Sequence, residues 1–224
     1  MQENKDKPSN TKSMIRQLIV HTLLFLPFCF FIWFYASSLL IVPVKYLLQF
    51  VLSMWQADLF NAVTQNQYML TIETLIFPNT TFSGQGDKLA VLDVIVNPMI
   101  YGYGLAVISA LIMSTPNIKT GKKVMQITIG YALVVLIQSF GSFWELLKHL
   151  IFSAGPDAQT AILDTGLSPN FIALIYQMSY LILPSVVPIA YWIIINNNFI
   201  SEITGLKSKS ARNFEPQQLS DKQE

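Results

Sequence analysis

Charge is scarce in this chain and cysteine scarcer. Only 12% of the 224 residues are Asp, Glu, Lys or Arg, against 52% hydrophobic, a balance that argues against a soluble domain of this size. A formal net charge of +1 supplies no field to draw the chain onto nucleic acid. One cysteine, Cys29, cannot form an intrachain disulfide or a cysteine metal cluster. It follows Pro27 and Phe28 deep in an apolar run, where a thiol stays neutral and inert and no lipidation signal surrounds it. The two histidines, His21 and His149, are too far apart in the chain to suggest a metal site, and no HExxH spacing occurs. A GxSxG elbow, a phosphate loop and a GxGxxG turn are missing too. Nothing in this inventory calls for a cofactor, and catalysis is not the leading expectation.

Long apolar runs are what the chain has instead. Eleven of the 14 Lys and Arg residues fall in three places: the first sixteen residues, Pro116–Lys123, and the tail after Asn198. Cations are retained on the cytoplasmic side during insertion, so three basic clusters separated by pairs of crossings fix a topology. The expectation is a mainly α, polytopic membrane protein with four transmembrane helices and both termini cytoplasmic. Its crossings are placed at 17–41, 98–115, 124–148 and 169–195, joined on the inside by the basic loop 116–123. Residues 1–13 read as a disordered leader and 199–224 as a disordered tail. The first run is too long for a cleaved signal peptide and reads as an anchor.

Three external pieces follow from that topology. Pro43 is expected to break or kink the first helix. Beyond it, 44–57 reads as an amphipathic helix: Val44, Leu47, Leu48, Val51, Leu52 and Trp55 share one face, and Lys45, Gln49, Ser53 and Gln56 the other. Such a helix lies flat on the outer membrane surface or packs its stripe on other helices. The insert 59–96 carries two β-rich stretches, Gln67–Phe77 and Lys88–Val96, around the turn-rich Pro78–Asp87, and predicts a β-hairpin. Asn79-Thr80-Thr81 fits a glycosylation sequon, a pattern too short to weigh. A smaller outer loop, 149–168, precedes the last crossing.

Candidate contact residues cluster at the entry of the second crossing. Asn97 caps Pro98 at the first helical turn, and Tyr101 and Tyr103 suit the headgroup level. Gly102, Ala106, Ala110 and Ser114 recur every four residues, and such a flat face admits another helix closely. Its partner is read as either another part of this chain or a second protein. Glu145 can meet Lys148 at i+3 or His149 at i+4, and an acid at membrane depth is a functional candidate; pairing with Lys148 at the outer headgroups is the plainer reading. Gln177, Pro184 and Pro188 mark a last helix that should bend.

The stretch NPMIYGYGLAVISALIMSTP, from Asn97 to Pro116, resembles that of the exosortase H-associated membrane protein family. The order of parts is similar as well: an anchor containing a proline, an external insert, the YGYG entry, a WELLK-like end to the third crossing, and Gln177 to Pro188 in the last. The resemblance covers most of residues 15–200. It implies a small bacterial inner-membrane protein that accompanies a polytopic sorting protease, exosortase H. It does not imply the enzyme, which uses Cys, Arg and His that this chain does not assemble.

The leading expectation is therefore a non-catalytic accessory embedded in membrane lipid, presenting its external insert and the small-residue face to a sorting protease. Trp55, Tyr101, Gly102, Tyr103, Gly104 and Glu145 are its chief candidate residues. A lipid or glycolipid carrier using Gln177 and Glu145 is the alternative, and an intramembrane hydrolase a distant third. Proteolysis of intact spheroplasts is expected to cut within Asn79–Asp87 and to spare the C-terminus; trimming of the tail with that segment spared would overturn the topology.

Overall fold

The structure, a computed structural model, describes residues 7–76 and 92–204. It is mainly helical, with one small sheet. Helix α1 (Lys7–Tyr35) is followed after a single residue, Ala36, by α2 (Ser37–Trp55). The helix breaks at Ala36, and Pro43, where a break or a kink is expected, sits inside α2. Proline in a helix costs about 3 kcal/mol. Burial of Ile41, Val44, Leu48 and Leu52 along one face of α2 opposes it, at about 1.5–3 kcal/mol each.

The face of α2 away from that core differs from the expectation for 44–57. Lys45, Gln49 and Ser53 form a narrow polar seam rather than a broad polar face. Beyond the seam, Leu39, Tyr46, Phe50 and Met54 are all well exposed. The helix thus carries two apolar faces. By length and composition three helices could cross a membrane, namely residues 13–35 of α1, α2, and α4 (Thr120–Phe152), or four if the bent pair α6 (Pro169–Leu181) and α7 (Leu183–Ile195) is one span. The apolar stretch Pro98–Ser114 is shorter.

The insert holds three strands where a hairpin is predicted. β1 (Phe60–Asn66), β2 (Met69–Thr74) and β3 (Asp93–Val96) form an antiparallel sheet in that order. β2 and β3 pair with Leu70 opposite Val96 and Ile72 opposite Val94. The unforeseen strand, β1, joins β2 through Gln67-Tyr68, with Gln67 in the left-handed region (φ 55°). No glycine announces that turn, and Asn61, Thr64, Gln65 and Asn66 dilute the apolar alternation. Along β2, Leu70, Ile72 and Thr74 point inward and are buried. The turn Pro78–Asp87 and its sequon lie outside the described residues, as do Phe77 and residues 88–91 of the two β-rich stretches.

After β3 a 3-10 turn (Pro98–Tyr101) leads into α3 (Gly104–Ser114), against which α1 packs. α4 packs against α2, α3, α6, α7, β3, the 3-10 turn and the short α5 (Pro156–Leu163). At about 1.5 Å per residue its 33 residues span roughly 50 Å, against a hydrocarbon core of about 30 Å. Something other than lipid must cover the excess. One core does so: Leu146, Leu147, Leu150 and Ile151 of α4 pack with α2, the sheet, α5 and Ile172. A second core joins Leu105, Ile108 and Ile112 of α3 to Val134 and Trp192.

The last helix bends by 51° between α6 and α7, at Ile182, just before Pro184. Pro184 and Pro188 remove the helical donors of the Tyr180 and Pro184 carbonyls, and at the bend itself Ser185 Oγ donates to the oxygens of Leu181 and Ile182, each at 3.1 Å. Two predicted ends are also structured. α1 begins at Lys7, inside the expected leader, and α8 (Asn197–Thr204) continues into the expected tail. Local bonds explain the latter: Asn196 Nδ2 donates to the Trp192 carbonyl and Ser201 Oγ to that of Asn197.

Leu150→Ala is expected to lower the unfolding free energy in detergent by about 2–5 kcal/mol, because Leu150 is fully enclosed. Phe50→Ala, on the outer face of α2, should change it little.

Candidate functional site at the Tyr101–Glu145 junction

Gln138, Ser142, Glu145 and His149 fall at i, i+4, i+7 and i+11 of α4, a polar stripe on one face of an apolar helix. That face meets the 3-10 turn. Glu145 is buried, at 7% exposure, so its carboxylate needs partners within the protein. Tyr101 supplies one: its hydroxyl donates to Glu145 Oε2 at 3.0 Å. His149 Nε2 lies 4.0 Å from Oε1, at the limit of an ion pair. Lys148 still acts on Glu145 through its charge. Its ammonium sits over the Tyr176 ring, 5.1 Å from the centroid.

The glycines set how closely these parts approach. Gly141 on α4 lies directly under the Tyr101 ring, and a Cβ there would overlap ring atoms. A Cβ on Gly102 would collide with the side chain of Gln138, whose Nε2 donates to the Pro98 carbonyl at 3.1 Å. A Cβ on Gly104 would overlap Pro188 and come within 2.8 Å of the Pro184 carbonyl oxygen. That oxygen lacks its helical donor because residue 188 is proline. The YGYG block therefore fits three surfaces: Tyr101 on Gly141, Gly102 on Gln138, Gly104 on the proline pair.

Asn97 begins the turn by accepting from the Met99 N–H at 3.1 Å, with Pro98 at the first helical position. The cap ties the end of β3 to the start of α3. Chemically, the arrangement offers a buried acid held by the Tyr101 hydroxyl, with Ser142 and His149 on the same face of α4. Among the described residues no group of three or more His, Cys, Asp or Glu could hold a metal ion.

The model of the exosortase H-associated membrane protein family matches residues 12–199. The chain belongs to that family. No curated protein and no solved structure matches it. The matched stretch runs from α1 into the start of α8 and so includes both cores and the whole Tyr101–Glu145 junction.

Within this family member the candidate residues divide. Asn97, Pro98, Tyr101, Gly102, Gly104 and Glu145 come together at the junction. Ala106 and Ala110 are buried inside the chain, at 1% and 0% exposure, so the small-residue stripe serves internal packing. Trp55 stacks on Phe60 and meets Phe143 edge-on, bracing α2 against β1 and α4. Tyr103 stands half-buried beside the junction. Gln177 is exposed, while Tyr176 is half-buried and stacks on Tyr180, which meets the Tyr101 ring edge-on at 6.5 Å. Gln138 and Gly141 are additions that sequence reasoning missed. The periodicity of polar residues on α4 was the available signal.

Gly141→Ala is expected to cost about 1–3 kcal/mol through overpacking. Tyr101→Phe should cost about the same by leaving a buried carboxylate short of a donor. Gly121→Ala, with nothing within 4 Å, should be neutral or stabilising by up to about 1 kcal/mol. Denaturation in detergent measures all three.

Proposed function

We propose that this protein is a non-catalytic inner-membrane accessory of a bacterial exosortase-type sorting system, acting through helix packing and a folded external unit. The observation that carries the reading is the family match over residues 12–199. In this proposal the chain crosses four times, by α1, the stretch Pro98–Ser114, α4 and the bent α6–α7 pair. Both termini lie in the cytoplasm with the basic loop after Pro116. The three cation clusters support that orientation, and the length of α4 supports a folded unit standing outside the bilayer.

The partner is a polytopic sorting protease of the exosortase H type. Because the small-residue stripe is occupied within the chain, the docking surface is assigned to the outer face of α2. Leu39, Tyr46, Phe50 and Met54 project from a helix whose other side is fixed on the sheet and α4. Rigid aromatic anchors of this kind lose little entropy on binding. The junction at Glu145 has a positioning role: it sets the sheet and α3 against α4 and so holds α2 in place.

Two measurements test the proposal. In mild detergent the full chain should co-purify with the exosortase of its own cell, and Tyr46→Ser with Phe50→Ser should reduce recovery at least tenfold at unchanged thermal stability. Failure of the parent chain to recover any exosortase would remove the partnership; indifference to the double variant would remove α2 as the surface. For topology, in a Cys29→Ser background, Asn66→Cys should react with an impermeant maleimide in intact spheroplasts. Gly121→Cys should react only after permeabilisation, and the reverse pattern would overturn the orientation.

A further inference from the structure

Beside the junction, an open cleft of about 630 Å³ lies between the end of α1, the β1–β2 turn, the 3-10 turn and the end of α6. That volume falls within the range of about 300–1,000 Å³ usual for small-molecule sites. Its walls are aromatic rings with polar tips: Trp33, Tyr68, Tyr103 and Tyr180, with Asn97 between them. The indole N–H and the three phenol hydroxyls have no hydrogen-bond partner among the described residues. Among the described residues no Lys, Arg, Asp or Glu lines the cleft. On its rim Phe34 and Leu181 are exposed, at 58% and 63%, and Phe31 and Ile182 continue that apolar surface.

These features constrain what could fill it. A phosphate or carboxylate would find no counter-charge among the described lining residues, which makes an anionic headgroup a poor occupant. A bare hydrocarbon chain would leave four donors unused, each preferring an oxygen acceptor. An uncharged, hydroxyl-rich headgroup satisfies both conditions. Its oxygens can pair with the phenols and with Asn97, and its C–H faces can lie on the electron-rich ring faces. The apolar rim supplies a path for attached chains, since Trp and Tyr sit where lipid meets water.

We infer that this cleft binds the uncharged sugar headgroup of a glycolipid, its acyl chains leaving past Phe34 and Leu181. The inference is independent of the exosortase partnership, because the cleft shares no residue with the outer face of α2. Native mass spectrometry of the full chain in detergent provides the test, with monoglucosyl diacylglycerol, phosphatidylglycerol and diacylglycerol of identical chains as probes. The sugar lipid should bind saturably, one per chain, at least tenfold more tightly than either of the others. Tyr103→Phe with Tyr180→Phe keeps the rings and removes two hydroxyls, and should weaken only the sugar lipid, by about tenfold. Tyr68→Phe is the second variant should that pair fail to insert, with a smaller loss in the same direction. Equal binding of the three lipids, or sugar-lipid binding that ignores these variants, would overturn the assignment.

Discussion

The tyrosine ring laid across the bare backbone of Gly141 is the contact on which the arrangement of this protein depends. An acid buried in α4 must find donors, because unsatisfied charge in a dry interior costs several kcal/mol. The Tyr101 hydroxyl can reach Glu145 only if its ring lies flat on α4, and only a residue without Cβ permits that. The contact fixes the separation of the 3-10 turn from α4. Gly102 on Gln138 and Gly104 on the proline pair extend the same close approach to α7. Each contact alone is modest, but together they leave the start of α3 a single place to sit.

From that place the rest of the chain is positioned in two directions. Below, α3 runs down against α1, α4 and α7, its alanines and Ser114 facing inward. Between helices in lipid there is no water to expel, so attraction rests on dispersion and weak polar contacts, which small side chains allow. Above, β3 ends at Val96, one residue before the Asn97 cap, and hangs the sheet over the end of α4. There ordinary hydrophobic burial operates, through Leu70, Ile72, Leu146 and Leu150. α4 belongs to both regimes, and its length is the structural reason that the two cores form one body.

Much of the helical plan was legible because hydrophobic runs and basic clusters are long-range signals that do not depend on packing. The pairing of Gln67–Phe77 with Lys88–Val96 was legible too, as β2 and β3. β1 was not: its alternation is diluted by polar residues, and its turn relies on Gln67 adopting a left-handed backbone without glycine. The break at Ala36 was hidden because proline is the stronger local breaker, and only tertiary burial of Val44 and Leu48 explains why α2 runs through Pro43. At the junction, Tyr101, Gly102 and Glu145 could be picked out one by one. That they meet could not, since 44 residues separate the two hydrogen-bonded side chains.

A buried acid held by a tyrosine hydroxyl raises the question of why a hydrophobic pair does not stand in its place. Apolar replacements of buried polar networks are often neutral or stabilising, so net stability is a weak reason for keeping one. Geometry is a better one. An apolar ring against α4 would be content at several heights, because dispersion has little directional preference. The Tyr101 hydroxyl bond to the Glu145 carboxylate and the Gln138 amide bond to the Pro98 carbonyl together admit a single height and a single rotation of the turn. The sheet, and through Trp55 and Phe60 the whole of α2, inherits that setting. In a protein whose proposed role is to hold one helix face toward a partner, fixing the register of the external unit on its membrane anchor is the property such a polar contact supplies and a greasy one does not.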